Sequence, residues 1–146
     1  VSNDVSTANR VVEYATTRGI SLALETGDFE ACLKATNLIP DLKICLDPAY
    51  IFSLSSNSLE DYIRAFDKQI CYIHLYDVSA NEGHYTPGSG DIPEDDWLFL
   101  LRWMRDTEFE GPAVFEIRPL PEDEGQSAIN TVIEGRNYLE TLNTAL

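Results

Sequence analysis

Residues 70–77 read Ile70-Cys71-Tyr72-Ile73-His74-Leu75-Tyr76-Asp77, an apolar run that meets a histidine near its end and an acid just beyond. A near-continuous apolar run, rather than a strict alternation, predicts a strand over 70–75 of the kind buried on both faces of a parallel sheet. The same pattern recurs along the chain. The run 20–24 leads into Glu25-Thr26-Gly27, 42–46 leads into Asp47-Pro48, and a strand over 113–117 contains Glu116. Amphipathic stretches separate these runs. A helix over 6–18 is stopped by Gly19, and one over 28–38 is begun by Asp28 and closed before Pro40. Ser58-Leu59-Glu60-Asp61 resembles a capping box opening a helix to about residue 68. After a long polar loop over 81–90, Asp91 is the expected N-cap of a helix through 105 with Pro93 in its first turn, and a last helix covers 126–144. One helix followed by four strand–helix units predicts right-handed crossovers and an α/β parallel sheet, in a single domain over 1–146.

Each strand is apolar until its C-terminal end, and there it carries one potential ligand: Glu25, Asp47, His74 or Glu116. In parallel α/β proteins that edge of the sheet collects ligands and catalytic groups. Four neighbouring strands would bring the four side chains round one point. Three carboxylates and one imidazole suit a hard or borderline divalent ion, Mn²⁺ or Mg²⁺ first, Zn²⁺ or Co²⁺ next. Singly, each has a plainer explanation: Glu25 as a helix-entry residue, Asp47 before Pro48 as a turn residue, His74 as a satisfied core histidine. Glu116 resists that treatment most, because a carboxylate among Val114, Phe115 and Ile117 is costly to bury unless paired or metal-bound.

The remaining composition excludes classes of function. With 10 basic against 25 acidic residues and a net charge of −15, a phosphate-neutralising nucleic-acid surface is hard to build. No run approaches the roughly 18 apolar residues of a membrane span, and no signal peptide is legible. The chain lacks an initiator Met, as expected of a processed product or of a segment of a longer one. Three cysteines, Cys32, Cys45 and Cys71, without Cys-x-x-Cys spacing argue against a disulfide framework or zinc–thiolate site and fit a reducing cytoplasm.

The segments Leu22-Ala23-Leu24-Glu25, Leu46-Asp47-Pro48, Ile73-His74-Leu75-Tyr76-Asp77, His84 through Pro87-Gly88-Ser89-Gly90-Asp91-Ile92, and Phe115-Glu116-Ile117-Arg118-Pro119 resemble, in that order, the xylose-isomerase-like TIM barrels. That superfamily holds sugar-phosphate isomerases, ketose epimerases, hydroxypyruvate isomerases and endonuclease IV. The resemblance covers nearly the whole chain and implies the C-terminal half of a barrel, strands five to eight. It implies one divalent metal held by Glu25, Asp47, His74 and Glu116. The two glutamates, Glu25 and Glu116, are then acid and base, moving a proton between adjacent carbons of a small sugar, sugar phosphate or related hydroxy-carbonyl compound through an enediolate. It further places His84 and Tyr50 among the substrate-binding residues. Arg118 is expected to pair with a substrate anion or with a surface carboxylate, and Asp77 to orient His74 or a nearby ligand. Tyr50 departs from the family, many of whose members have a His three residues after the strand-six Asp that contacts substrate or metal. The departure and the acidity count against an endonuclease IV-like abasic-site nuclease, although Asn81-Glu82-Gly83-His84 resembles that enzyme's Asp-x-His pair with Glu82 in place of Asp. A half barrel leaves two open edges and an uncovered interior face. The expected complements are an N-terminal half, as a missing segment or a separate chain, or a second copy. The alternative to an enzyme is a non-catalytic half-barrel fragment that needs the other half.

Overall fold

Strand β3 (Ile70–Leu75) lies inside a four-stranded parallel sheet with β2 (Lys43–Leu46) on one side and β6 (Ala113–Phe115) on the other, and β1 (Ala23–Glu25) pairs with β2. The computed structural model describes residues 2–80, 82–118 and 126–146. The spatial order β1-β2-β3-β6 places the four parallel strands in their order along the chain, so each joins the next through a helical crossover. Strands β1 and β6 form the sheet's two outer edges. This is a parallel α/β fold like half of a TIM barrel.

One face of the sheet packs on helices. Ile44 and Leu46 of β2 and Ile73 of β3 are fully buried against Tyr62 and Phe66 of α4 (Leu59–Phe66) and Trp97 and Leu100 of α5 (Glu94–Asp106). Side chains alternate across a strand, so Tyr72 and His74 share the opposite face, where their rings meet edge to face at 5.6 Å. Between Ile44 and Cys45 the register with β3 slips, Ile44 facing Ile70 and Cys45 facing Tyr72. The slip marks a bulge in the β2–β3 pair.

Two of the helices begin at side-chain caps that the sequence marks. Asp28 caps α2 (Phe29–Leu38), accepting from the Ala31 N–H at 2.8 Å, and Ser58 and Asp61 close a reciprocal capping box on α4. Such a cap is worth about 1 kcal/mol. The first helix, α1, runs Ser2–Thr16 and the last, α6, Gln126–Thr144. Among the described residues no helix is long and apolar enough to cross a membrane.

Four details depart from the sequence expectation. Helix α3 (Pro48–Leu54) follows β2 directly, because Asp47-Pro48 is a cap followed by a proline at N1 and not only a turn. The polar loop is largely a hairpin, in which β4 (Asp77–Ser79) pairs antiparallel with β5 (Glu82–Tyr85). Asp91 does not cap α5: its Oδ2 accepts from the Ala80 N–H at 2.7 Å, and the helix starts after Pro93 with no side-chain cap. Finally, β6 ends at Phe115, so Glu116 stands one residue past the strand, still tied to it by an N–H donated to the Leu75 carbonyl at 3.2 Å.

Candidate metal centre

The four parallel strands end side by side, and at those ends Glu25, Asp47, His74 and Glu116 converge. One ligand-capable atom from each lies within 4.8 Å of every other. Ligands about 2.1 Å from a common ion stand about 3 Å apart when adjacent and about 4.2 Å when opposed, so the cluster has the size of a coordination shell. Its centre is the Nδ1 of His74. Glu25 Oε1 lies 2.8 Å from it, Glu116 Oε2 3.3 Å and Asp47 Oδ2 3.7 Å. Yet this nitrogen is buried and has no hydrogen-bond partner of acceptable geometry. An orphaned imidazole nitrogen facing three carboxylates, none aligned to share its hydrogen, fits a shared cation better than it fits mutual hydrogen bonding.

The four side chains differ in freedom. Asp47 is nearly fully buried and held on every side. Its Oδ1 accepts from the Tyr50 N–H at 2.8 Å, making it the N-cap of α3, while its Oδ2 accepts from the Tyr76 hydroxyl at 2.9 Å. Its backbone N–H donates to Thr26 Oγ1 at 2.9 Å. Burial pushes the Asp47 carboxyl above the ordinary aspartate range, against the pull of the Tyr50 N–H and the Tyr76 hydroxyl. The Glu25 and Glu116 side chains, by contrast, are 54% and 44% exposed, so both carboxylates can reach a molecule in the cleft. Cys45, two residues before Asp47, has its thiol pushed up to about 12 by burial and by the negative charge of Glu25 and Asp47. It is not one of the four residues that converge here.

His84, on β5, forms the wall beside this cluster. Its Nδ1 stands 2.8 Å from the Glu116 carbonyl, and its ring stacks on Tyr76 at 4.0 Å with the planes 9° apart. Arg118 is next to it through the backbone, its N–H donating to the His84 carbonyl at 3.1 Å. Tyr50 sits in the first turn of α3, where its N–H meets Asp47, and its side chain lines a cleft of about 140 Å³ with Gly27, Phe29 and Leu54 that none of the four candidate ligands lines. A cavity of about 460 Å³ between α5 and α6, around Met104 and Leu139, is lined by none of these residues. The ionisable groups meet instead at the open strand ends.

Asp77 behaves differently from its expected place beside His74. It is completely buried, and its bonds go to loop N–H groups: Val78 at 2.9 Å and Ile92 at 3.1 Å on Oδ1, and Gly88 at 3.0 Å on Oδ2. None goes to His74. A Cβ at Gly90 would collide with this carboxylate and with the Val78 carbonyl, so the chain passes there only as glycine. Two residues escaped the sequence reading. Tyr76 continues the Tyr72, His74 alternation and could have been found by it, whereas Thr26 had no signal beyond following Glu25. In Thr26→Val the Asp47 N–H loses its partner in a buried place, and we expect a loss of about 1–3 kcal/mol in urea unfolding of the metal-free protein. A loss under about 0.5 kcal/mol would mean that the hydroxyl is not what that N–H needs.

A family model described as xylose isomerase-like TIM barrel matches residues 5–139. The chain belongs to this family. Three solved structures share the fold of this xylose isomerase-like chain. A xylose isomerase domain protein from Planctomyces limnophilus is 20% identical with a TM-score of 0.74, over 99% of this chain and 54% of that one. A D-allulose 3-epimerase from Methylomonas sp. is 17% identical with a TM-score of 0.73, over 97% and 55%. An L-ribulose 3-epimerase is 14% identical with a TM-score of 0.74, over 97% and 53%. The xylose isomerase-like chain thus spans about half the length of the solved structures it matches. No curated protein sequence matches it.

Proposed function

We propose that this chain carries the metal centre and acid–base pair of a sugar isomerase or epimerase, as strands five to eight of its barrel. The observation that supports this most is the His74 Nδ1, orphaned among carboxylate oxygens of Glu25, Asp47 and Glu116 drawn from three other strand ends. Those four residues would hold one divalent ion, Mn²⁺ or Mg²⁺ in the first instance. When bound, such an ion supplies electrostatic stabilisation of charge developing on substrate oxygens. The protein's own part is proton movement. Glu25 and Glu116 are the exposed carboxylates, so one takes the proton from the carbon next to the carbonyl, giving an enediolate, and the other returns one, to the opposite face of the same carbon in an epimerisation or to the neighbouring carbon in an isomerisation. Asp47, locked by two hydrogen bonds, holds still. His84, Arg118 and Tyr50 line the rim where the rest of a small polyhydroxy ketone would lie. Solved relatives described as 3-epimerases of allulose and ribulose support a ketose as the substrate class.

A second reading keeps the metal site without turnover. The open outer edges of β1 and β6 favour it, since half of a barrel's rim loops come from elsewhere. The two separate experimentally. The metal-stripped chain is titrated with Mn²⁺ by calorimetry, then assayed for 3-epimerisation of D-tagatose, D-allulose and L-ribulose. One-to-one binding with turnover supports the enzyme, and binding without turnover supports the second reading. A folded chain that binds no Mn²⁺ would sink both.

Acidity gives an independent check. Because burial raises the Asp47 carboxyl, the proton competes with the ion from a pH above the ordinary aspartate range, and Mn²⁺ affinity declines on acidification through that window. The sign reverses for the metal-free fold. A carboxyl raised on folding stabilises below its unfolded value, and that contribution is lost as pH rises through the folded one. Subtracting the stability of Asp47→Asn from that of the parent, both with chelator, should therefore give a difference that becomes less favourable as pH rises. A flat difference would contradict it.

A further inference from the structure

Four contacts form a closed circuit around the C-terminal end of β3. Asp47 Oδ2 accepts from the Tyr76 hydroxyl at 2.9 Å, and the Tyr76 ring lies flat against His84 at 4.0 Å. His84 Nδ1 meets the Glu116 carbonyl at 2.8 Å, and the Glu116 N–H returns to β3 at the Leu75 carbonyl. Tyr76 is buried at 7% exposure and touches both a candidate ligand, Asp47, and the rim wall, His84. A carbonyl can only accept, so the hydrogen between it and His84 belongs to Nδ1. The neutral ring is thereby left with Nε2 as a lone pair, able to receive a hydrogen bond and not to give one.

We propose that Tyr76 is a positioning residue that sets Asp47 through its hydroxyl and His84 through its ring face, so that His84 offers Nε2 as an acceptor for a substrate hydroxyl. This rests on the metal-centre reading for its Asp47 half only. The phenol hydroxyl stands on Oδ2, the Asp47 oxygen that faces His74, and so fixes where that oxygen lies; removing such a partner of a ligand carboxylate costs about 10–100-fold in metal affinity. The ring acts separately. Two parallel rings 4.0 Å apart hold the imidazole plane, and with it the Nδ1 bond to Glu116. Asp77 supports the arrangement from below, since its three bonds to N–H groups fix the segment that carries β5.

The test uses the whole chain and two variants, with far-UV circular dichroism to confirm folding. The sequence has only two histidines, so nitrogen-15 spectra of the imidazoles at alkaline pH are assigned with one His84→Gln control. In the metal-free parent, His84 is expected to carry its hydrogen on Nδ1. In Tyr76→Leu it should revert to the Nε2–H form that free histidine prefers. Tyr76→Phe keeps the ring, so it should keep the Nδ1–H form while binding Co²⁺ about tenfold more weakly, with an altered visible spectrum of the bound ion. A Tyr76→Phe protein that binds Co²⁺ like the parent with the same spectrum would overturn the Asp47 half. A His84 tautomer unmoved in Tyr76→Leu would overturn the His84 half. If the parent itself binds no Co²⁺, the metal-centre reading fails and takes the Asp47 half with it. The ring spectra then decide the His84 half alone.

Discussion

Replacing Glu116 with Ala lowers Mn²⁺ affinity by more than about 100-fold, beyond what the loss of a partner behind a ligand costs. The argument starts from crowding. Glu116 Oε2 stands 3.3 Å from His74 Nδ1, in a group where three carboxylates share one small volume. Without an ion these negative charges repel one another, so losing one relieves the metal-free chain. With an ion, losing one removes both a ligand and a balancing charge. The variant should therefore fold at least as well as the parent with chelator present, yet gain little when Mn²⁺ is added, whereas the parent is stabilised as the ion saturates it. Calorimetry and urea midpoints with and without Mn²⁺ measure both sides. Parent-like binding in Glu116→Ala would remove this residue from the ligand set.

Asp77→Ala should be the most damaging single change to the fold outside the apolar core. The Asp77 side chain is fully buried, and Val78, Gly88 and Ile92 all direct N–H groups at it. Alanine leaves three buried donors without acceptors. Each orphaned donor costs about 1–3 kcal/mol before relaxation, and we expect a net loss of about 3–5 kcal/mol in urea unfolding. That is a large share of the roughly 5–15 kcal/mol available to a domain. Asp77→Asn is the graded control: its one oxygen still serves Val78 and Ile92, but its amide faces the Gly88 N–H, so it should lose less. If Asp77→Ala loses under 1 kcal/mol, the loop must find those N–H groups other partners. The His84–Glu116 contact should weaken along with the loop.

How far the residues announced all this depends on the kind of signal each element sends. The four parallel strands were legible from their apolar runs and from the polar residue that ends each run at the C-terminal edge, although the expected burial on both faces is met best by β2, while the edge strands β1 and β6 are exposed or half-exposed. The meeting of Glu25, Asp47, His74 and Glu116 was anticipated from that pattern alone. Helix α3 was not, because an Asp-Pro pair reads equally as a turn and as a cap with proline at N1. The β4–β5 hairpin was hidden by its own residues: Asn81 to Gly90 are the polar and small types that loops favour, and two short strands leave no periodicity to count. Asp77 and Asp91 were misplaced for one shared reason. A carboxylate near a helix start suggests a cap or a ligand's partner, and nothing local shows that it instead gathers N–H groups from a segment folded back over eleven or more residues.

The divided carboxylate of Asp47 has a kinetic meaning. One oxygen closes the first turn of α3 and the other faces the ion's place, and a carboxylate is rigid, so neither can move without the other. Fraying of that turn swings a ligand away, and holding the ligand stills the turn. On the proposed metal-centre reading, the residence time of a bound ion would be geared to how often a seven-residue helix opens at its first turn. A sequence change on the outer side of α3, far from any ligand, can then alter how long the ion stays without touching the shell that holds it.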